Sequence, residues 1–139
     1  MILCANPKAQ YLSQKDEIDL AIKTVLDSGW YILGKEVEQF ENEFSLYNES
    51  AHTIGVGSGT EALHLALRAL NVGTNDEVIT TAHTAVATAS AIILAGAKPV
   101  FVDINPNYYS IDSGLIEEVI TPKTKAIIPV HLYGQPCNM

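Results

Sequence analysis

Two stripes of apolar residues at helical spacing occupy the first third of the chain and predict two helices. The first helix follows Ser13, which can cap it, and ends at Ser28-Gly29, because glycine adopts the left-handed closing conformation at little cost. The second runs from about Lys35 to Tyr47, after a loop over 30–34. The apolar stripes consist of Ile18, Ile22, Val25 and Leu26, and then of Val37, Phe40, Phe44 and Tyr47.

From His52 onward, short apolar runs alternate with helical patterns. This alternation predicts parallel βαβ crossovers, and continuously apolar strands predict helices on both faces of the sheet. The pattern therefore indicates an α/β domain over 51–139, preceded by a helical segment over 1–50. Strands are predicted at 53–56, 77–80, 99–102 and 126–130, and helices at 60–70, 86–94 and 113–120.

Composition and charge narrow the class of protein. The 139 residues are 47% hydrophobic and 17% charged, as in a globular protein, and the net charge is −8. An acidic chain without a basic cluster is not expected to bind nucleic acid as its main partner. No apolar run approaches the roughly 20 residues that span a bilayer, and the polar N-terminus predicts no signal peptide. We expect a cytoplasmic protein without a metal site, in which Cys4 and Cys137 are unpaired thiols.

A glycine-rich turn over 55–59 carries the clearest chemical signal, because it lies between a predicted strand and a predicted helix. The first amides of a helix have no partner within it, and the helix dipole is positive at this end. Such a turn is a common site for a phosphate. The sequence therefore predicts an anion site at the start of the helix that follows.

Several interpretations of this turn are open. A dinucleotide fingerprint would need a third glycine where Thr60 stands, and an acidic residue at the end of the next strand. A P-loop would need a lysine that is absent. The phosphate of pyridoxal phosphate needs a few amides and a hydroxyl, which Ser58, Gly59, Thr60 and Glu61 offer. A turn that only packs is the remaining alternative.

The last residues form a predicted loop, 133–139, directly after a buried strand. A parallel sheet normally continues with a helix and a strand that cover such an edge. We therefore expect the chain to be the N-terminal part of a longer protein.

The chain resembles the nucleotide-sugar aminotransferases of the DegT/StrS type, which use pyridoxal phosphate on the aspartate-aminotransferase-like fold. Each matching stretch is weak alone, but all occur in family order and at family spacing over nearly the whole chain. The stretches are Ser28–Lys35 with Glu38–Glu41, Gly57–Leu63, Asp76–Ile79, Ala82–Thr88, Gly96–Asp103 and Pro129–Gly134.

The resemblance implies roles for individual residues. Gly59, Thr60 and Glu61, with Ser58, would hold the cofactor phosphate, mainly through backbone amides. The loop 83–88 would lie over the pyridine ring. Many relatives carry an aromatic residue at the position of Ala85, and this chain does not. His83 is the substitute that we expect, since imidazole can stack on the pyridine or donate to its O3′.

Three further residues lie within these stretches. Tyr31 would help to line the substrate site. We expect His131 to be a hydrogen-bonding residue at a strand end, with no role as a catalytic base. Asp103 is expected to fix the turn over 105–107.

The resemblance also implies that catalytic groups are missing from this chain. The chemistry needs a lysine that forms a Schiff base with the cofactor and a carboxylate on the pyridine nitrogen. In the family both would lie beyond Met139, so we expect no catalytic residue here and no transaminase activity from this polypeptide alone.

The function expected of the whole protein is transfer of an amino group from an amino acid, glutamate in this family's usage, to a nucleotide-linked keto-deoxysugar. The products would enter polysaccharide or antibiotic sugar synthesis, and a 3-amino-deoxysugar is the product that we favour. Family members are homodimers with active sites at the subunit boundary. Two alternatives are a non-catalytic module that binds a phosphate or a partner, and a nicotinamide-dependent sugar enzyme.

Overall fold

The computed structural model describes residues 4–139 and divides into two compact units, which meet in sequence between Gly55 and Val56. The first unit contains three helices, α1 (Pro7–Ser13), α2 (Lys15–Ser28) and α3 (Lys35–Tyr47). No residue of these helices is buried, so their apolar stripes remain half-exposed or exposed within this unit.

The short helix α1 corrects the prediction that Ser13 caps the first long helix. Asn6 caps α1 by accepting a hydrogen bond from the amide of Ala9 at 3.1 Å, and Pro7 occupies its first position, where proline is tolerated. Ser13 lies at the other end of α1, and its hydroxyl donates to the carbonyl of Gln10. The next helix therefore begins without a side-chain cap. It ends as predicted at Gly29, which has a φ of 69°.

The predicted strand over 53–56 is not present among the described residues. This segment is instead hydrogen-bonded to α3. The amide of Gly55 donates to a carboxylate oxygen of Glu41 at 2.7 Å, and the hydroxyls of Ser45 and Thr53 lie 2.9 Å apart. Ile54 is exposed. Within residues 4–139 the segment joins no sheet, so the strand prediction is wrong here.

The second unit has the alternating order that the sequence predicts. Its elements are α4 (Gly59–Ala69), β1 (Glu77–Thr81), α5 (Val86–Leu94), β2 (Lys98–Val102), α6 (Ile116–Val119, after a 3-10 turn at Ser113–Leu115), β3 (Thr124–Ile127) and a final 3-10 turn at Leu132–Gly134. The three strands form a parallel sheet in the order β2-β1-β3. The α/β architecture with a parallel sheet is thus confirmed.

The core of this unit lies on both sides of the central strand β1. Successive side chains of a strand point to opposite faces, so Val78 and Ile79, both fully buried, belong to two different clusters. The Val78 cluster includes Leu67 of α4 and Ile92 of α5. The Ile79 cluster includes Val102, Ile111 and Cys137. The prediction of a fully covered strand holds for β1, whereas Phe101 of β2 and Ile127 of β3 are exposed.

No helix within residues 4–139 combines the length and the apolar character needed to cross a bilayer.

Candidate functional site

The start of α4 is organised by a serine and a glutamate three residues apart, the pattern of a capping box. Ser58 has an extended backbone and caps the helix, and its hydroxyl oxygen accepts a hydrogen bond from the amide of Glu61 at 3.2 Å. The Glu61 carboxylate folds back over Gly57, where an added Cβ would lie 2.8 Å from its Oε2. A side chain at position 57 would therefore displace this carboxylate.

Two backbone amides at the start of α4 are free to donate a hydrogen bond to a ligand. Within the described part of the chain, the amides of Gly59 and Thr60 have no hydrogen-bond partner. A Cβ at Gly59 would meet no heavy atom within 4 Å, so there is open space beside the backbone. These donors fit a phosphate group. The Glu61 amide, expected to contribute as well, is engaged by Ser58, and the Glu61 carboxylate must share the helix end with any bound anion.

A second feature lies where β1 and β2 end, at the edge of a parallel sheet where α/β proteins bind ligands. Here a cavity of about 530 Å³ is lined by the segments 81–83 and 101–104, which include His83. The His83 amide donates to the hydroxyl of Thr81 at 3.2 Å, which fixes the backbone as it leaves the strand. Hydroxyls of Thr84 and Thr88 are 2.9 Å apart across the first turn of α5.

Three aromatic rings meet beside this cavity. The ring of His83 lies 5.9 Å from that of Tyr133, nearly edge to face at 65°, and 6.1 Å from that of Tyr109. The Tyr133 hydroxyl is 3.4 Å from His83 Nε2. We refer to His83, Tyr109 and Tyr133 as the ring cluster. Each member follows a different strand, so the cluster is assembled by the sheet.

Both tyrosines of the ring cluster have a left-handed backbone, which L-residues other than glycine, asparagine and aspartate rarely adopt. Their φ values are 58° for Tyr109 and 57° for Tyr133, a conformation that costs about 1–2 kcal/mol for each residue. The Tyr109 amide donates to the carbonyl of Asn105 at 2.8 Å, and the turn of Tyr133 is closed by Gln135 donating to Leu132 at 2.9 Å. The backbone hydrogen bonds of the two turns hold the strained residues.

Sequence reasoning missed the two tyrosines of this cluster. Their contact with His83 joins residues 26 and 50 positions apart, which no local spacing reveals. A weak signal did exist in the turn-forming residues beside them, Asn105-Pro106-Asn107 before Tyr109 and Gly134 after Tyr133.

The predicted site residues are therefore found in separate features. Residues 58–61 form the start of α4, and His83 belongs to the ring cluster; within residues 4–139 no hydrogen bond joins His83 to residues 58–61.

Tyr31 is described within the first unit. It is exposed, and its hydroxyl donates to the carbonyl of Leu26 at 3.2 Å. Next to it, the indole of Trp30 donates to the carbonyl of Ile32 at 2.6 Å. A cavity of about 420 Å³ in this unit is lined by Trp30 and Leu33, and Tyr31 is not part of its wall.

Two other predictions have different outcomes. His131 is a hydrogen-bonding residue as expected, since its Nδ1 accepts from the amide of Cys137 at 3.0 Å. It does not lie at a strand end, however, because β3 covers Thr124–Ile127 and not the predicted 126–130. The prediction that Asp103 fixes the turn over 105–107 is wrong. The Asp103 carboxylate accepts from the amide next to it, that of Ile104, whereas the turn is held by the Asn105 side chain accepting from Asn107.

Residues 4–139 contain no group of three potential metal ligands, and Cys4 and Cys137 are both free thiols.

Comparison with known proteins identifies the family. The profile of the DegT/DnrJ/EryC1/StrS aminotransferase family matches residues 12–139. The chain belongs to this family. It is 49% identical over 132 residues to dTDP-3-amino-3,4,6-trideoxy-alpha-D-glucose transaminase of Streptomyces venezuelae, which covers 95% of the chain and 35% of that relative.

Solved structures of family members share the fold of the chain. DesV of Streptomyces venezuelae, solved in complex with a ketimine intermediate, superposes with a TM-score of 0.92 at 48% identity, over 96% of this chain and 36% of that one. NtdA of Bacillus subtilis, solved with bound cofactor PMP, gives a TM-score of 0.87 at 40% identity, over 91% of this chain and 29% of that one. The chain thus spans about a third of the length of these family members.

Proposed function

We propose that the protein to which this chain belongs is a pyridoxal-phosphate-dependent aminotransferase acting on a nucleotide-linked keto-deoxysugar. The start of α4 is the observation that carries the proposal, because it offers the free amides of Gly59 and Thr60 beside open space. Family membership supports the same reading, as do the transaminase from Streptomyces venezuelae and the cofactor bound in NtdA.

The residues of this chain would hold the cofactor at two points. The amides of Gly59 and Thr60 would donate to its phosphate at the positive end of the α4 dipole. The Ser58 hydroxyl and the Glu61 amide, bonded to each other, would keep these donors in place. The cofactor, when bound, supplies an electron sink for amino-group transfer, which no protein side chain provides.

His83 would contact the ring of the cofactor. It is half-buried and lines the cavity at the carboxyl ends of β1 and β2. Its imidazole offers a flat face and a ring N–H, so it can stack or donate a hydrogen bond. It would take the place of the aromatic residue that Ala85 does not supply.

The substrates follow from the relatives. The name of the Streptomyces venezuelae relative specifies a dTDP-linked 3-amino-deoxysugar, and we extend this class to the present protein. Glutamate is the proposed amino donor, and Tyr31 is proposed to line the substrate site. We also propose a homodimer located in the cytoplasm, where nucleotide-linked sugars are made.

Replacing the first amide of α4 tests the phosphate site. Gly59→Pro removes one N–H at the helix position where proline is best tolerated, after a residue whose extended backbone suits a following proline. Gly59→Ala keeps the N–H and places its Cβ in open space. A hydrogen bond to a charged group contributes about 1.5–3 kcal/mol, so we expect Gly59→Pro to weaken binding about tenfold or more.

The measurement is a titration of the 15N-labelled chain with pyridoxal phosphate, followed by NMR. We expect the amide signals of Gly59 and Thr60 to shift, and pyridoxal without its phosphate to leave them in place. Gly59→Ala should bind with an affinity close to that of the original chain. Equal affinity in the proline and alanine variants, or shifts confined to other amides, would refute the phosphate site.

A further inference from the structure

We propose that Tyr133 is a positioning residue for His83, and that its hydroxyl fixes the imidazole as the tautomer that carries its proton on Nδ1. Tyr109 supports the same ring from a second direction. This inference rests on the proposed function only for its consequence, the presentation of His83 to the cofactor. The arrangement of the ring cluster itself belongs to this chain.

The backbone of the ring cluster is strained. Tyr109 and Tyr133 both have the left-handed backbone, although the two residues are 52% and 78% exposed. Burial of the rings therefore does not account for the unfavourable conformation. What the two residues share is a ring placed against His83, at centroid distances of 6.1 and 5.9 Å. Of the six non-glycine residues with a positive φ among residues 4–139, these two place their rings against the same side chain, and strained backbone is frequent at functional sites.

The hydrogen bond between Tyr133 and His83 has a preferred direction. The Tyr133 hydroxyl lies 3.4 Å from His83 Nε2, and either atom could be the donor. A phenol is a good donor and a poor acceptor, because its oxygen lone pair is delocalised into the ring, whereas an unprotonated imidazole nitrogen is a good acceptor. The Tyr133 hydroxyl therefore donates to Nε2. Neutral His83 then carries its proton on Nδ1.

The turn that bears Tyr133 is anchored on both sides. The Cys137 amide donates to Nδ1 of His131 at 3.0 Å, and the Cys137 thiol lies 3.1 Å from the carbonyl of Val130. These contacts close the segment 130–137 around Tyr133. Since Cys137 is buried in the core cluster of β1, the position of the Tyr133 ring is tied to the sheet that also positions His83.

The hydrogen bond from Tyr133 determines which imidazole nitrogen of His83 can still donate to a ligand. With Nε2 accepting from Tyr133, the donor left to the imidazole is Nδ1–H. The nearly perpendicular Tyr133 ring and the tilted Tyr109 ring restrict rotation of the imidazole. His83 is thereby presented with one defined orientation and one defined donor, as a residue that contacts a cofactor ring requires.

NMR of the 139-residue chain with 15N-labelled histidine tests the inference without any ligand. With the imidazole neutral, we expect His83 Nε2 to resonate as an unprotonated nitrogen and Nδ1 as a protonated one. Tyr133→Phe keeps a ring and removes the hydroxyl, so the Nε2 signal should move toward the protonated range. Tyr109→Phe is the matched control, because the Tyr109 hydroxyl makes no hydrogen bond to His83, and it should leave both signals in place.

Two outcomes would overturn the inference. One is an original chain in which His83 already carries its proton on Nε2, a result that needs no variant to fold. The other is an Nε2 signal that does not move in Tyr133→Phe. Failure of the proposed function is a separate result: the Gly59 and Thr60 amides would not respond to pyridoxal phosphate, whatever tautomer His83 adopts.

Discussion

The backbone amide of Cys137 donates to Nδ1 of His131 across 3.0 Å. Cys137 is only 6% exposed, so water is a poor substitute for this acceptor. A buried donor that loses its partner costs about 1–3 kcal/mol. His131 therefore stabilises the segment after β3, and this role differs from the cofactor contact proposed for His83.

Removing the acceptor at position 131 is expected to destabilise the chain. His131→Phe keeps a flat ring but leaves the Cys137 amide unpaired, so the free energy of unfolding should fall by about 1–3 kcal/mol. His131→Asn offers a carbonyl oxygen close to the position of Nδ1 and should restore part of the loss. Urea denaturation gives the energies, and hydrogen exchange of the Cys137 amide reports the bond itself. Unchanged exchange in His131→Phe would contradict this role.

The cap of α4 predicts an order of stability among three residues at position 58. Ser58→Ala removes the oxygen that accepts from the Glu61 amide and should cost about 1 kcal/mol, whereas Ser58→Gly should cost only a few tenths. Alanine is the better helix former, so the opposite order would be expected if Ser58 acted as an ordinary helical residue. Thermal or urea unfolding of the three proteins distinguishes the two cases.

Local signals explain why much of the fold could be predicted. The bounds of α3 and α5 were predicted at their observed residues. An apolar stripe marks α3, which follows Gly34, and Gly96 follows the end of α5. The helix after the glycine turn was predicted within a residue at each end. These features depend on residues that are near one another in sequence.

The features that were predicted wrongly or missed depend mainly on contacts between residues that are distant in sequence. The segment 53–56 has the alternating pattern of a strand, but a strand forms only where a neighbouring strand accepts its hydrogen bonds. The Gly55 amide of this segment donates to the Glu41 carboxylate instead. The helix α1 is too short to show a stripe. The ring cluster could not be predicted because it joins three strand ends and two left-handed tyrosines. Non-local contacts of this kind follow from the topology and from no local pattern.

Two adjacent isoleucines in α5 provide a matched test of the core. Ile92 is fully buried against Leu67 and Val78, whereas Ile93 is 61% exposed. Ile92→Ala should lower the free energy of unfolding by about 2–5 kcal/mol, through lost burial and the cavity that remains. Ile93→Ala changes helix propensity in the same way without emptying the core, so its effect should stay within about 0.5 kcal/mol. Similar losses in the two variants would contradict the described orientation of α5.

Acid stability should depend on Glu77 at the amino end of β1. The Thr121 hydroxyl donates to its carboxylate at 2.7 Å and, with a smaller contribution from Lys98, holds the pKa of Glu77 below its ordinary value. The folded state then binds this proton less readily than the unfolded state. The contribution to stability is complete above the ordinary glutamate pKa and is lost as the pH falls through the lowered value.

Glu77→Gln should therefore flatten the pH dependence of the unfolding free energy in this acidic range. Glutamine can still accept from Thr121 but does not titrate there. Glu118→Gln removes an exposed charge from α6 and serves as the control, with a pH profile close to that of the original chain. If the unfolding free energy of Glu77→Gln depended on pH as it does in the original chain, Glu77 would not contribute to acid sensitivity.

The 139-residue chain is expected to show no transaminase turnover. The reaction needs a lysine that bonds the aldehyde of the cofactor, and such lysines react because a desolvated pocket lowers their pKa. The lysines of this chain are all exposed, and three of them pair with carboxylates. They are Lys8, Lys15, Lys23, Lys35, Lys98, Lys123 and Lys125.

The assay mixes the purified chain with pyridoxal phosphate and glutamate and measures release of the keto acid against a blank without protein. A full-length member of the family serves as the positive control. Treatment with borohydride followed by mass spectrometry asks separately whether any lysine has bonded the cofactor selectively. We expect release equal to the blank and no site modified in preference to the others. Turnover above the blank would show that one of the exposed lysines can perform the chemistry, and the assignment of this step to groups outside the chain would then be wrong.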